Sequence, residues 1–184
     1  MRTKAIIIKK QRTKEFDQLV TCYTQELGKF TGIAKSSLKP HSVQGMHLDS
    51  FNLVEFDIIN GRATPIITGA QCEYTFPHIR ESLPRQAAAY FFLEVIDRVA
   101  YDHQQDDPLW NFLTNLLREL ETISEPELMP WFRQKQADFL KVLGHPSQAQ
   151  TIGVLAADPA SLDATYEYIF GIQLNSLQFL YKIT

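Results

Sequence analysis

The N-terminal part of the chain, residues 1–78, consists of short β-branched and aromatic runs separated by turn residues. Five such runs occur: TKAIIIKK, LVTCYT, KFTGIAK, FNLVEFDII and RATPIITGAQCEY. This composition is typical of β-strands. Because no long helical pattern interrupts the runs, the sequence predicts a small closed or half-open barrel. An OB-fold has this economy of five strands, with a short helix between the third and fourth, and an SH3-like barrel is the rival.

Several turn residues refine this prediction. Asn60-Gly61 lies between two apolar runs, which predicts a hairpin with a type I′ turn. Pro65 has no amide donor and is expected at an edge or bulge. Gly32 and Gly69 lie within strand patterns, where glycine often marks a bulge or bend. The segment HSVQGMHLD is expected to hold the short helix.

After Pro77 the apolar residues recur with a period of 3.6, which predicts helices. One helix is expected to end before the polar run DHQQDD, and Asp107-Pro108 then marks an N-cap and first turn. Ser124 and Glu127 have capping-box spacing, and that helix is expected to end at Gly144. A last helix is expected from about Leu162 through Leu177. The predicted fold class is α+β, with an OB-fold domain at 1–78 and an all-helical domain at 79–184.

Motifs for catalysis, cofactors and metals are absent from the sequence. The five histidines lack the spacing of a metal site, and neither GxxxxGK[ST] nor GxGxxG occurs. The two cysteines, Cys22 and Cys72, lie in predicted strands and are expected to be small buried core residues rather than zinc ligands. No apolar run approaches the roughly 18 residues of a membrane span. We therefore expect a cytoplasmic, non-enzymatic protein without a cofactor, a metal or a membrane contact.

The charge is divided unevenly along the chain. Residues 1–62 hold ten Lys and Arg against six Asp and Glu, whereas residues 63–184 hold eight against fifteen. On a small barrel, cations near the first three strands can converge on a phosphate backbone, and an exposed ring such as Tyr23 can stack on a base. Strand alternation places Phe30 in a small apolar row with Gly32 and Ala34, which favours a core position over stacking. Lysines on edge strands can instead serve to prevent sheet-to-sheet pairing. The candidate DNA-binding residues are Lys9, Lys10, Arg12, Lys14, Tyr23, Lys29, Lys35 and Lys39.

These features, in this order, resemble the bacterial RecO family of recombination mediators. The similarity covers the β-branched first strand, KEFDQLVTCYTQELGK, the basic segment IAKSSLKPHS and LDSFNLVEFDIINGR. It continues through FPHIRESLPRQAAAYFFLEVIDRV and WFRQKQADFLKVLG, and the terminal LNSLQFL is more weakly similar. Many family members carry a four-cysteine zinc knuckle where this chain has GHPSQAQTIGVLAADPAS. The chain is thus expected to be a short member without the zinc site.

The resemblance implies a non-enzymatic role in DNA repair. Members bind single- and double-stranded DNA, anneal complementary strands and help to load the recombinase. The implied partners are a RecR-type mediator and the acidic C-terminal tail of single-strand-binding protein, which docks on the helical domain. A carboxylate tail needs cations beside an apolar slot. The candidate residues for this contact are Arg118, Phe132, Arg133, Lys135, Phe139 and Lys141.

A protein-interaction adaptor, whose OB barrel does not bind DNA, is the alternative function. The acidic composition of residues 63–184 is compatible with this role. Binding of a single-stranded oligonucleotide at low salt distinguishes the two.

Overall fold

The computed structural model describes residues 1–145, 159–171 and 174–183. The chain forms two compact units. Unit 1 comprises Met1–Phe76 and Ala100–Trp110, and unit 2 comprises Pro77–Val99 and Asn111–Thr184. The domain boundary at residue 78 stays a prediction. It did not anticipate that Ala100–Trp110 returns to unit 1.

Unit 1 contains a closed five-stranded barrel with the strand order β1-β2-β3-β5-β4. All the pairings are antiparallel except the short parallel contact of β3 with β5, at Ile33–Ile66 and Ala34–Ile67. The predicted OB-fold is therefore confirmed, including the short helix between the third and fourth strands. The elements are β1 (Arg2–Arg12), β2 (Gln18–Thr24), β3 (Gly28–Ala34), α1 (Gln44–His47), β4 (Leu53–Ile59) and β5 (Ile66–Tyr74).

Strand alternation fills the barrel with small and β-branched side chains around two aromatic rings. Phe30 and Phe56 lie inside, with ring centroids 6.3 Å apart. Cys22 is completely buried, as predicted, and burial raises the pKa of its thiol. Cys72 is half-buried against this core. The buried core residues of the barrel are Ala5, Ile7, Val20, Cys22, Phe30, Ala34, Leu48, Val54, Phe56 and Ile67.

Glycines have two different roles in unit 1, as a bulge residue and as residues that make room for a neighbouring group. Gly69 has a φ of 57° and lies where the β4–β5 register shifts, so the predicted bulge is confirmed there. Gly32 keeps the register of the β2–β3 ladder; a Cβ at this position would lie 2.8 Å from the Phe30 ring, so glycine makes room for that ring. Gly61 is also required by space, since its Cβ would lie 2.0 Å from the Thr64 carbonyl oxygen.

The predicted type I′ turn at Asn60-Gly61 is wrong. Neither residue has a positive φ, and the β4–β5 ladder ends at the pair Ile59–Ile66, which leaves a six-residue loop between the strands. The reason lies in the closure of the barrel. The carbonyl of Pro65 accepts a hydrogen bond from the amide of Ile33 in β3 at 2.8 Å. The loop after β4 must therefore extend to β3 before β5 begins to pair with β4, and a two-residue turn is too short for this.

The returning segment Ala100–Trp110 covers the part of β3 that β5 leaves unpaired. Asp102 forms a parallel bridge with Lys29, and the amide of His103 donates to the carbonyl of Lys29 at 3.0 Å. The ring of His103 contacts Phe30 edge-on at 6.0 Å. A Cβ on Gly28 would lie 1.9 Å from the Gln104 carbonyl oxygen, so the two backbones meet closely there. This segment is thus an additional, short partner of the barrel edge.

The remaining described elements are helical. They are α2 (Pro77–Glu81), α3 (Leu83–Val99), α4 (Asp107–Thr122), α5 (Glu125–Val142), α6 (Pro159–Phe170) and α7 (Asn175–Ile183). The predicted all-helical C-terminal part is therefore confirmed. Within the part of the chain that the structure describes, none of these helices is long and apolar enough to span a bilayer.

Helix ends differ in detail from the predictions. Asp106, not Asp107, caps α4, because its carboxylate accepts the Leu109 amide at 2.8 Å. Ser124 is the N-cap of α5 as predicted, but its hydroxyl bonds to the Glu127 carboxylate instead of forming the reciprocal capping box. The predicted final helix is two helices, since Gly171, with a φ of 62°, ends α6.

The core of unit 2 is rich in aromatic rings. Phe91 and Phe92 of α3 make edge-on contacts with Phe132 at 5.2 and 5.6 Å. Phe112 and Phe139 stack at 4.9 Å with nearly parallel planes. Such contacts add to the energy of apolar burial.

Two carboxylates, one buried and one partly buried, cap helix N-termini in unit 2. Glu121, which is 4% exposed, accepts the amides of His78 and Ile79 at the start of α2. Glu94 accepts the Ser176 amide and hydroxyl at the start of α7, at 3.0 and 2.6 Å. These charge-assisted bonds attach α2 to α4 and α7 to α3.

Candidate nucleic-acid interface

Two loops meet at the end of the barrel where the strands β1 and β3 both end. One is the β1–β2 loop, residues 13–17, and the other runs from residue 35 to α1. The amide of Leu38 donates to the Phe16 carbonyl at 3.0 Å, and the amide of Ser36 donates to the Asp17 carboxylate at 2.8 Å. These bonds join the loops into one structure, so side chains from distant parts of the sequence have defined positions on it.

Two clefts flank the ridge formed by residues 39–42. The first cleft has a volume of about 500 Å³ and the second about 560 Å³. Lys39, Pro40, His41 and Ser42 line both. The first cleft is further lined by Lys10, Gln18, Ser37, Leu38, Val43, Gly45 and Met46, and the second by Phe16, Lys35, Ser36 and Gln44.

Three of the predicted DNA-binding lysines converge on these clefts. Lys10 lines the first, Lys35 the second, and Lys39 lies on the ridge between them. Lys10 forms an ion pair with Asp49, which holds its ammonium group in place. The Lys39 ammonium lies over the Phe16 ring, 5.8 Å from its centroid. The barrel thus presents cations from β1 and from the β3–α1 loop on one surface.

Three further predicted cations lie at the end of β1 and in the loop after it. Lys9, Arg12 and Lys14 are all exposed. Arg12 donates to the carbonyl of Glu15 at 3.1 Å, which fixes its guanidinium along the β1–β2 loop. Their positions are compatible with contacts to an anion longer than the clefts themselves.

Tyr23 and Phe30 do not present rings for stacking. Each is 1% exposed: Phe30 lies in the barrel core, and Tyr23 belongs to the opposite face of the sheet. Burial, and then the carboxylates of Asp106 and Asp107, raise the pKa of Tyr23. The stacking role predicted for Tyr23 is therefore corrected, because the required ring surface is covered.

Lys29 also differs in setting from the other predicted cations. It is half-buried, and its backbone pairs with the segment around Asp102 and His103. The basic β2–β3 hairpin is thus occupied by a part of the same chain rather than open along its edge.

Sequence reasoning missed Phe16, His41, Val43 and Met46 as residues of this surface. A signal existed for two of them. Val43 and Met46 are apolar residues within the otherwise polar segment HSVQGMHLD, and a short helix there leaves them little core to enter. The contribution of Phe16 depends on the pairing of the two loops, which no local pattern indicates.

The predicted tail-binding residues lie in unit 2 and are not all open to a ligand. Phe132 and Phe139 are completely buried in the aromatic core, so neither ring lines an apolar slot. That part of the prediction is corrected: the apolar stripe of α5 packs inward.

Among the described residues, Arg133, Lys135 and Lys141 have intramolecular side-chain partners. Lys135 binds Glu119 at 2.7 Å and Lys141 binds Asp138 at 2.8 Å. Arg133 donates to the Gln136 side chain at 3.0 Å, whereas Arg118 is exposed on α4. Their role in binding a partner tail stays a prediction.

Comparison with known proteins identifies the barrel. The profile of the family described as "Recombination protein O N terminal" matches residues 1–76. A protein named DNA repair protein RecO from Dehalococcoides mccartyi strain BAV1 is 34% identical over 127 residues, which are 69% of this chain and 50% of that protein. The N-terminal module, residues 1–76, belongs to the RecO family. The resemblance seen in the sequence is therefore confirmed.

Other RecO proteins match over similar lengths. The protein from Roseiflexus sp. is 30% identical over 147 residues, covering 80% of this chain and 51% of its own length. The protein from Geobacter metallireducens is 28% identical over 145 residues, covering 78% and 58%. The chain spans about half the length of the curated relatives it matches.

The RecO match agrees with the physical division of the molecule. The matched residues end at 76, which is also the last residue of the first stretch of unit 1. Both clefts and their lysines therefore lie within the matched RecO module. Residues 144–161, where the resemblance led us to expect a missing zinc knuckle, contain no cysteine and lie largely outside the described residues.

Proposed function

We propose that this RecO chain binds DNA through the surface formed by the two clefts and acts as a non-enzymatic mediator in DNA repair. The observation that carries the proposal is the convergence of Lys10, Lys35 and Lys39 on one end of an OB barrel. OB barrels bind single strands with a groove whose cations follow the phosphates. Here the ridge of residues 39–42 supplies the central cation, Lys39, and the clefts on either side add Lys10 and Lys35.

The binding follows from charge and shape, not from a base code. Lysine ammonium groups contact phosphates as point charges, and such contacts tolerate any sequence. Lys9, Arg12 and Lys14 are exposed at the end of β1 and in the β1–β2 loop, where they can offer further phosphate contacts. We therefore expect sequence-tolerant binding of single strands, with duplex DNA bound through the same phosphate contacts.

Family membership supports the further parts of the proposal. The matching relatives are named DNA repair proteins. On this basis we propose that the chain anneals complementary strands and contacts a RecR-type mediator and the tail of single-strand-binding protein. The tail contact is assigned to Arg118, Arg133, Lys135 and Lys141 without the buried rings. Strand annealing measured with intact and tail-deleted single-strand-binding protein tests the tail contact, because a specific contact predicts annealing only of strands coated by the intact protein.

A salt titration of oligonucleotide binding tests the central claim. Fluorescence anisotropy of a labelled single strand is measured for the native chain and for the double variant Lys35→Glu/Lys39→Glu at several salt concentrations. Each lost phosphate contact on a single strand reduces the slope of log K against log salt by about 0.7, so the double variant should flatten it by about 1.4. Binding at low salt should weaken strongly as well.

The matched control is Arg118→Glu/Lys141→Glu, which changes the net charge equally but lies in unit 2. It should leave the slope nearly unchanged. Equal effects of the two double variants would mean that net charge alone, and not the cleft surface, governs binding. No binding by the native chain at low salt would refute the proposal and favour the adaptor function.

A further inference from the structure

Two large apolar side chains are exposed in the wall of the first cleft. Val43 is 62% exposed and Met46 is 68% exposed. They are three residues apart, with Val43 as the N-cap of α1 and Met46 in its single turn, so they lie on one face of the helix. Both line the same cleft as Lys10 and Lys39.

The position of these side chains is unusual for an electrostatic binding surface. A surface that recognises phosphates alone needs cations and polar groups, and exposed apolar side chains weaken its hydration. In the first cleft, Leu38 and Pro40 add to the apolar wall. Apolar groups enclosed by cations match a ligand that has an anionic backbone and flat apolar faces.

We propose that the first cleft is a nucleobase subsite, in which Val43 and Met46 contact an unstacked base while Lys10 and Lys39 hold the adjoining phosphates. This inference rests on the proposed DNA binding and adds the part of the ligand that the cleft recognises. A thioether packs favourably against aromatic rings and adapts to different ring shapes, so the subsite accepts every base. The methyl groups of Val43 add apolar contact beside Met46 in the wall of the first cleft.

The subsite gives the surface a reason to prefer single strands. In a duplex the base faces are stacked and cannot enter a cleft, whereas in a single strand they can be turned outward. Phosphate contacts are available from both forms. The preference for single strands therefore depends on Val43 and Met46, and the salt dependence depends on the lysines.

An abasic oligonucleotide separates the two contributions. Binding of labelled oligothymidylate is compared with binding of a strand of equal length made of abasic sugar-phosphate units, for the native chain and for Val43→Ser/Met46→Ser. The native chain should prefer the strand with bases by about two- to twelvefold, the range given by a favourable sulfur–ring contact. The double variant should lose this preference and keep the native salt slope.

Tyr101→Ser is the matched control, because Tyr101 is 76% exposed in unit 1 and does not line either cleft. It should keep the preference for bases. Native-like preference in Val43→Ser/Met46→Ser would overturn the subsite while leaving DNA binding intact. Failure of the native chain to bind either strand would overturn the DNA-binding proposal and the subsite together. Circular dichroism of each variant confirms folding, and the high exposure of both side chains predicts no loss of stability.

Discussion

Replacing Gly28 with alanine tests the packing of the returning segment against the barrel. Gly28 has a φ of 65°, and an added Cβ would lie 1.9 Å from the backbone oxygen of Gln104. A non-glycine residue in this conformation costs roughly 1–2 kcal/mol. The clash adds the free-energy cost of moving the Gln104 backbone. This movement would also weaken the hydrogen bond that the His103 amide donates to the Lys29 carbonyl. Overpacking of this kind costs about 1–3 kcal/mol.

Gly69→Ala is the matched control for this substitution. Gly69 has nearly the same φ, 57°, but its Cβ would meet only the Asp57 carboxylate at an ordinary 3.4 Å. Both substitutions carry the same conformational cost and the same gain from a less flexible unfolded chain. The difference between them therefore isolates the clash, and we expect Gly28→Ala to be less stable than Gly69→Ala by about 1–3 kcal/mol.

Urea denaturation followed by tryptophan fluorescence measures this difference. In a Trp131→Phe background, Trp110 is the one remaining tryptophan, and it is buried in unit 1. With a typical urea m-value of about 2 kcal/mol/M, the two midpoints should differ by about 0.5–1.5 M. Equal midpoints for the two alanine variants would refute the close contact between Gly28 and Gln104.

Other variants test unit 2. The Glu94 carboxyl is partly buried, which raises its pKa, but hydrogen bonds from Ser176, Asn175 and Arg98 outweigh burial and lower it. The Glu94 carboxylate therefore stabilises the fold above its unfolded pKa of 4.5, and this stabilisation is lost as the pH falls through the folded pKa. The free energies of unfolding of the native chain and of Glu94→Gln, measured against pH, should converge below that pKa. A constant difference at all pH values would contradict this prediction. Phe139→Ala should lower the free energy of unfolding by about 3–5 kcal/mol, because it removes a buried ring that stacks on Phe112 in the core. Native-like stability in urea denaturation, with loss of binding to the partner tail alone, would contradict this.

The strands and helices were largely predictable because their signals are local. Alternation along β2 and β3 and the 3.6 period after Pro77 reflect which side chains each element must bury. The bulge at Gly69 was predictable for the same reason, since a glycine within a strand pattern indicates a break in the ladder. Family resemblance then followed from the order of these elements.

The surface was less predictable because it is built from separate parts of the chain. Charge patterning located Lys10, Lys35 and Lys39, but not the pairing of the β1–β2 loop with the β3–α1 loop that brings Phe16 beneath Lys39. The same patterning did not distinguish Lys29, whose strand edge is occupied by residues more than seventy positions away.

Sequence alone determined most of the strands and helices, because these depend on local side-chain periodicity, and the quoted segments in their order carried the family resemblance. Tertiary structure decided which of the marked residues reach the surface. Tyr23 lies on the outer face of β2 by alternation, yet it is buried in unit 1, where Asp106 and Asp107 of the returning segment act on it. Asn60-Gly61 has the residues of a tight turn, yet Pro65 must first reach β3. In both cases a long-range contact overrides the local preference, because closing the barrel and covering its open edge stabilise the whole unit.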